Sequence, residues 1–239
     1  RRDCEYDRRR SEIEQFNKTS RTHLRGMSMT AVKFGISFTR RTLNQANALV
    51  NIYLDGTVLV STGATEMGQG VNTRFRQIVA DEFGLPLAAV RLTSTNTEKN
   101  NNTSPTAASS GTDLNGAAAV DACQKLMARL KPIAAQMLSD STQGLAPEPE
   151  HIQFAAGHVY DERRPDRKIP FQKLIDQAYE QRINLGERGF YATPGVDFNR
   201  ETGQGHPFLY YTNGVACTEV LIDRFTGEAL GALRADVAA

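Results

Sequence analysis

Two loops of small residues, each running into a helix, are where residue types and spacing in this chain could do chemistry. The first runs from Gly63 to Gly70 (Gly-Ala-Thr-Glu-Met-Gly-Gln-Gly), with a helix expected from about Val71. The second runs from Thr103 to Thr112 and holds Pro105, Ala107, Ala108, Ser109, Ser110 and Gly111, with a helix expected from about Asp113. A loop of this kind aims backbone N–H groups and the positive end of a helix at one spot, an arrangement suited to phosphate or oxo groups. Two such loops close together in sequence point to a site for a large anionic cofactor.

Other chemistries find less support. The first loop lacks the Lys and Ser or Thr of a P-loop, because Gly68 is followed by Gln69 and Gly70. It also lacks the opening Gly-x-Gly of a dinucleotide fingerprint, since Thr65 follows Gly63 and Ala64. Gln69 could aim its amide at an oxo or phosphate group, and a tight structural turn is the alternative reading. For the second loop the alternative is a well-capped helix, with Thr112 or a serine as the N-cap. His23, His151, His158 and His206 are scattered and stand at no ligand spacing with a cysteine or carboxylate. No Gly-x-Ser-x-Gly elbow is present. Any hard chemistry here must therefore come from a cofactor.

The elements around the loops read as follows. Val32 to Thr39 is an extended segment. Ala48 to Leu54 and Thr57 to Ser61 form a hairpin about Asp55-Gly56. The helix after the first loop puts Val71, Phe75, Ile78, Val79 and Phe83 on one face and ends at Gly84. Val90 to Ser94 is a strand. The helix after the second loop extends to about Leu130 and on past Pro132. Its first half is rich in Gly and Ala, which either admits another backbone closely or reflects helix propensity alone. Ile152 to Tyr160 is a hairpin turning at Gly157, and Pro170 introduces a helix from Phe171 to Gln181. Phe190-Tyr191, Tyr210-Tyr211 and Val215 to Ile222 are strands, the last returning through Thr226-Gly227. Strands and helices interleave without a regular βαβ repeat, so the expected fold is α+β with mixed sheets and packed helices. The stretch from Ser139 to Glu150 is the candidate subdomain boundary.

Composition narrows the classes. A chain of 239 residues, 40% hydrophobic and 23% charged, has enough apolar material for a real core. A net charge of +1 with no polybasic face argues against nucleic acid. Arg8, Arg9 and Arg10 are answered by Glu5, Asp7, Glu12 and Glu14, which reads as a solvated helix face. No apolar run approaches the roughly 20 residues of a membrane span. Three widely spaced cysteines, Cys4, Cys123 and Cys217, fit a reducing, cytoplasmic compartment, with Cys123 and Cys217 as small core residues. Both ends read as cut, which predicts a segment of a longer polypeptide, incomplete at each end.

Several stretches carry a family resemblance. They are Lys33 to Thr39, Thr65 to Gly70, Ser94 to Thr97, Asn102 to Ser109 with Asp113 to Gly116, Gly189 to Pro194, and Tyr211 with Gly214 to Cys217. In these residues, in order along nearly the whole chain, the sequence resembles the molybdenum-binding subunit of the xanthine dehydrogenase and aldehyde oxidase family. The stretch Phe34-Gly35-Ile36-Ser37-Phe38-Thr39 looks more like the xanthine dehydrogenase branch. The resemblance implies that residues 1–239 are part of the molybdopterin-binding region, with the fold of its second domain.

It also implies roles for matched positions. Phe38 would be one of two phenylalanines stacking on a flat purine, with Thr39 beside the substrate. Met67, Gly68 and Gln69 would contact the molybdopterin, Gln69 near its pterin or phosphate end. Ala108 would set its backbone against the molybdenum, and Ala107, Ser109 and Ser110 would hold the cofactor around it. The family often has serine where this chain has Gly111, which removes one hydroxyl contact and keeps the N–H. The implied reaction is hydroxylation of hypoxanthine and xanthine to urate, with oxygen from water. Electrons would leave through 2Fe-2S clusters and FAD to NAD, carried on other domains or an Fe-S/FAD subunit. The catalytic glutamate would belong to chain outside these residues, and Glu66 is not assigned that role. The cofactor could be molybdopterin or its cytosine dinucleotide form. Two alternatives stand beside this reading: an aldehyde or other N-heterocycle oxidoreductase of the same family, and a non-catalytic cofactor-binding or assembly segment.

Overall fold

The computed structural model describes residues 4–139 and 147–238. In chain order the elements are α1 (Tyr6–Thr19), β1 (His23–Ile36), β2 (Gln45–Ile52), β3 (Val58–Thr62), α2 (Val71–Glu82), β4 (Val90–Leu92) and α3 (Gly111–Leu138). There follow β5 (Ile152–Ala155), β6 (His158–Asp161), β7 (Lys168–Pro170), α4 (Phe171–Glu180), β8 (Gly186–Ala192), β9 (Asp197–Asn199), β10 (Gln204–His206), β11 (Tyr210–Asp223) and β12 (Ala229–Ala238). Helices and mixed sheets interleave, as the α+β expectation requires. Two compact units divide the chain: Arg1–Ile36 with Tyr210–Ala239, and Ser37–Leu209. Of the expected boundary between Ser139 and Glu150, residues 140–146 lie outside the described residues.

The larger unit holds both loops. Its four-stranded sheet has the order β4-β3-β2-β8, with β3 and β4 parallel and the other pairs antiparallel. The Asp55-Gly56 turn joins β2 to β3 as expected, and the Asp55 carboxylate accepts the Thr57 N–H at 2.9 Å. Alternation along the strands sends Ala48, Val50, Val58 and Val60 inward, all fully buried. They meet Leu126 and Leu130 of α3, Phe83 after α2, and Leu174 and Ile175 of α4 in one continuous core. Fully burying a side chain of this size contributes about 1.5–3 kcal/mol. Phe171, at the start of α4, packs its ring 5.8 Å from that of Phe83. The strands from Ile152 to Pro170 build the small β5-β6-β7 sheet, and Ala156-Gly157, both with positive φ, make its first turn.

The small residues of α3 do admit another backbone. Gly189 of β8 lies so close that a Cβ there would meet the carbonyl oxygen of Ala118 at 1.8 Å and the nitrogen of Ala122 at 2.7 Å. Ala118, Ala119 and Ala122 are fully buried beneath this crossing. The Phe190 N–H donates to Asp121 Oδ2 at 2.9 Å and fastens the same contact. Pro132 sits inside α3 without ending it, because the turns beyond carry buried Ile133, Ala134 and Leu138 into the core.

The smaller unit is a three-stranded antiparallel sheet, β1-β11-β12, with α1 against β1. Here one expectation is corrected. Arg8 pairs with Glu5 and Glu12, and Arg10 with Glu14, as a solvated face would have it. Arg9 instead is 4% exposed and donates to Glu219 of β11 from Nη2 at 2.9 Å and Nε at 3.2 Å. Helical geometry turns one of three consecutive arginines toward the sheet, and its partner lies 210 residues away in sequence. All three cysteines are buried, and burial pushes the Cys123 thiol far up.

Candidate cofactor cleft

The first loop leaves β3, and its root is set by Gly63. A Cβ at Gly63 would meet Thr103 Cγ2 at 2.0 Å, so only glycine lets the roots of the two loops touch. Higher up, the Thr65 N–H donates to the Thr106 hydroxyl at 2.9 Å. Thr95 ties the base down by donating its hydroxyl to the carbonyl of Ala64 at 2.7 Å. Ala64 then packs with Val71 and Phe75 in a small cluster under the loop.

The electrostatics of this loop differ from the layout read off the sequence. Its amides are not left free, because the Glu66 carboxylate turns back over them. Oε1 accepts the N–H groups of Gly68 and Gly70 at 2.9 Å each, and Oε2 accepts that of Asn72 at 3.0 Å. Donation from Asn72, Gly70 and Gly68 holds the Glu66 carboxyl below its ordinary range. The N-terminus of α2 thus has its anion built in. Gln69 is folded inward as well: its side-chain oxygen accepts the Met67 N–H and its Nε2 donates to the Thr65 carbonyl at 2.9 Å. Met67 is left pointing outward, 67% exposed, and Gly68 is open on its Cα side.

The second loop behaves in the opposite way. Ala108 and Ser109 both take left-handed backbone, with φ of 52° and 53°. Such conformations are uncommon for residues other than glycine and concentrate at functional sites. They turn the chain so that α3 begins at Gly111, two residues before the expected start. Ser110 occupies the N-cap position without a side-chain capping bond. It is buried and donates its hydroxyl back to the Ala107 carbonyl at 3.1 Å. Among the described residues, the amides of Ser109, Gly111 and Thr112 have no partner within the protein. This helix N-terminus is the open one.

Between the loops lies a cleft of about 410 Å³, lined by Met67, Gln69, Val71, Arg74, Thr106, Ala107, Ala108, Ser109, Gly111 and Thr112. Of the residues expected at the site, five line it: Met67, Gln69, Ala107, Ala108 and Ser109. Gly68 and Ser110 belong to the same loops but stand back from the wall. Phe38 and Thr39 lie outside the lining, half-buried, one hydrogen bond away: the Ser37 N–H donates to the Ala108 carbonyl at 3.4 Å. Sequence reasoning missed three participants. Asn44, 2% exposed, clamps Phe38 through its side chain, Oδ1 accepting the Phe38 N–H and Nδ2 donating to the Phe38 carbonyl, both at 2.8 Å. Thr106 bridges the loops, and Arg74 is the one charged residue in the lining. The position of Arg74, three residues after Val71 in the first turn of α2, was the available signal.

A cleft of this size, walled by small residues and rich in backbone donors, suits a compact anionic organic group. Residues 1–238 match the family model described as the molybdopterin cofactor-binding domain. The chain belongs to that family. Among relatives of this molybdopterin-binding chain, the xanthine dehydrogenase of Dictyostelium discoideum is 43% identical over 97% of the chain. The xanthine dehydrogenase/oxidase of Gallus gallus is 41% identical over 93%. The chain spans 15% and 14% of the lengths of those two proteins. A solved CO dehydrogenase from Oligotropha carboxidovorans shares the fold, with a TM-score of 0.77 at 20% identity over 98% of the chain and 28% of that protein. The two loops of this molybdopterin-binding chain therefore differ: the amides of one are neutralised from within, and those of the other remain available. Among the described residues no helix is long and apolar enough to cross a membrane.

Proposed function

We propose that this chain is the part of a xanthine dehydrogenase-type molybdenum hydroxylase that holds molybdopterin between two loops and lines the purine pocket with Phe38 and Thr39. The observation that carries the reading is the cleft itself, in which a molybdopterin-binding sequence pairs small walls with unpaired amides. Ala107, Ala108 and Ser109 would form one wall and Met67 and Gln69 the other, with Gly68 and Ser110 shaping the two turns from behind. When bound, the cofactor supplies the oxidising chemistry that hydroxylates hypoxanthine and xanthine to urate with oxygen from water. The protein's part here is to orient and to exclude bulk. Side chains larger than Ala107 and Ala108 would fill the space the cofactor needs. The Asn44 clamp holds the Phe38 backbone so that its ring can serve as a stacking face.

The catalytic glutamate, the 2Fe-2S clusters, FAD and NAD would belong to other domains or to an Fe-S/FAD subunit, in a cytoplasmic enzyme. The cofactor would be molybdopterin or its cytosine dinucleotide form. The test is to purify the complete protein, measure molybdenum and pterin, and follow oxygen-18 from water into urate. Labelled urate from the wild type, with activity strongly reduced by Phe38→Ala, supports the reading. Turnover of aldehydes with none of purines would replace the substrate assignment, and a complete protein without molybdenum would end it.

A further inference from the structure

Phe38 and Thr39 are followed directly by Arg40 and Arg41. The turn that carries these arginines is held along its length. Besides the Asn44 clamp on Phe38, the Leu43 N–H donates to the Arg40 carbonyl and the Asn44 N–H to the Arg41 carbonyl, both at 3.0 Å. Gln45 Nε2 donates to the Thr42 carbonyl at 2.8 Å, and the Thr193 N–H donates to the Asn44 carbonyl at 3.0 Å. Arg40 Nε donates to the Thr42 hydroxyl at 3.1 Å, which tethers that side chain to its own turn. Both arginines are exposed, and among the described residues neither makes an ion pair within 4.0 Å. Their surroundings supply no carboxylate. Arg40 and Arg41 are the only charged residues in the stretch 37–54. The stretches 102–112 and 189–196, which bond to this turn through Ser104, Ala108 and Thr193, contain no charged residue at all.

We infer that Arg40 and Arg41 form a positive lip beside the Phe38–Thr39 face, which favours purines that carry negative charge, urate above all. The inference rests on the proposed purine pocket and adds to it two specificity-determining residues. At neutral pH urate is an anion and hypoxanthine is uncharged, so the lip acts on the product far more than on the neutral substrate. Thr39 and Arg41 are two residues apart, a Cα path of at most about 8 Å, while charge acts over about 30 Å at 0.01 M salt. The effect therefore needs no direct contact between a guanidinium and the ring. Stacking on Phe38 holds any flat purine, and the lip adds a preference set by charge. Its consequence is inhibition by the product that strengthens as salt is lowered.

The experiment uses the complete protein as wild type and as three double variants, with Arg40 and Arg41 both changed to Lys, to Gln or to Glu. The inhibition constant of urate and the KM for hypoxanthine are measured at neutral pH in about 0.01 M and about 1 M salt, where the Debye length falls from about 30 Å to about 3 Å. The readout is the ratio of the two constants. At low salt it should rise about threefold for the glutamine pair and about tenfold for the glutamate pair, with the lysine pair near wild type. In high salt the four proteins should converge. The glutamine pair carries the same test should the glutamate pair fail to fold. A ratio that stays at the wild-type value in both pairs overturns the inference and leaves the purine pocket intact. Equal weakening of urate and hypoxanthine, independent of salt, also overturns it, since a disturbed turn would then be the cause. A complete wild-type protein that turns over no purine brings down the pocket and the inference together.

Discussion

Replacing Gly189 by alanine should loosen the cofactor cleft from a distance. The added Cβ would stand 1.8 Å from the Ala118 carbonyl oxygen and 2.7 Å from the Ala122 nitrogen, and both atoms are backbone. Ordinary contact begins at 3.4 Å, so β8 and α3 must move apart by about 1.6 Å. No trimming of an α3 side chain can relieve that. Overpacking of a core costs about 1–3 kcal/mol where side chains can yield, and a backbone-on-backbone clash belongs at or beyond the top of that range. A loss of about 3 kcal/mol corresponds to roughly 100-fold more frequent local opening. Ala118 lies seven residues beyond Gly111, about 10 Å along the helix, so the shift reaches the open end of α3 through a rigid element. Hydrogen exchange of the complete protein, read by mass spectrometry, should show the β2–β8 amides exchanging about 100-fold faster and less cofactor retained. Gly26→Ala is the control, because its new Cβ meets nothing closer than 3.8 Å. Wild-type exchange in Gly189→Ala would refute the claim that glycine at this crossing is what permits the packing.

Further outcomes follow from the same geometry. Glu66→Gln should raise amide exchange at Gly68, Gly70 and Asn72. The Glu66 carboxyl is held below its ordinary value of 4.5, so its contribution is complete above that pH and is lost only as pH falls through the lower folded-state value. Exchange protection of these amides, corrected for intrinsic rates, should therefore be flat from neutral pH down to about 5; a titration step above pH 5 would contradict the cap. Asn44→Ala should raise KM for purine in the complete protein while leaving molybdenum content near wild type, because it removes two part-buried bonds to the Phe38 backbone. Unchanged KM would separate Phe38 from substrate stacking. Glu219→Ala should destabilise the α1–β11 contact by about 1.5–3 kcal/mol by removing the carboxylate that accepts two bonds from the buried Arg9 guanidinium, whereas the double change Arg9→Met with Glu219→Leu should restore most of the loss. Exchange of the α1 amides measures both, and equal loss in the single and double variants would refute the buried pairing.

Local signals made much of the fold legible. Asp55-Gly56, Gly84 and Pro170 each mark a turn or a helix boundary through backbone chemistry that acts within a few residues, and the structure has each where expected. Both loops were likewise legible as loops entering helices. Their electrostatic inequality was not. Whether Glu66 turns onto its own amides depends on the path of the loop, and that path is set by Thr106 reaching Thr65 from 41 residues away. The left-handed backbone at Ala108 and Ser109 has no signature in the residue types, since neither is glycine or asparagine. Arg9 shows the same limit for charge patterns. Its neighbours in sequence supply enough carboxylates for all three arginines, yet tertiary packing buries one of them on β11.

The most direct test of the account is a crystal or cryo-electron microscopy structure of the complete protein with its cofactor bound. Molybdopterin is expected between the two loops, touching Met67 and Gln69 on one side and Ala107 to Ser109 on the other. A cofactor seated away from both loops would contradict the central claim.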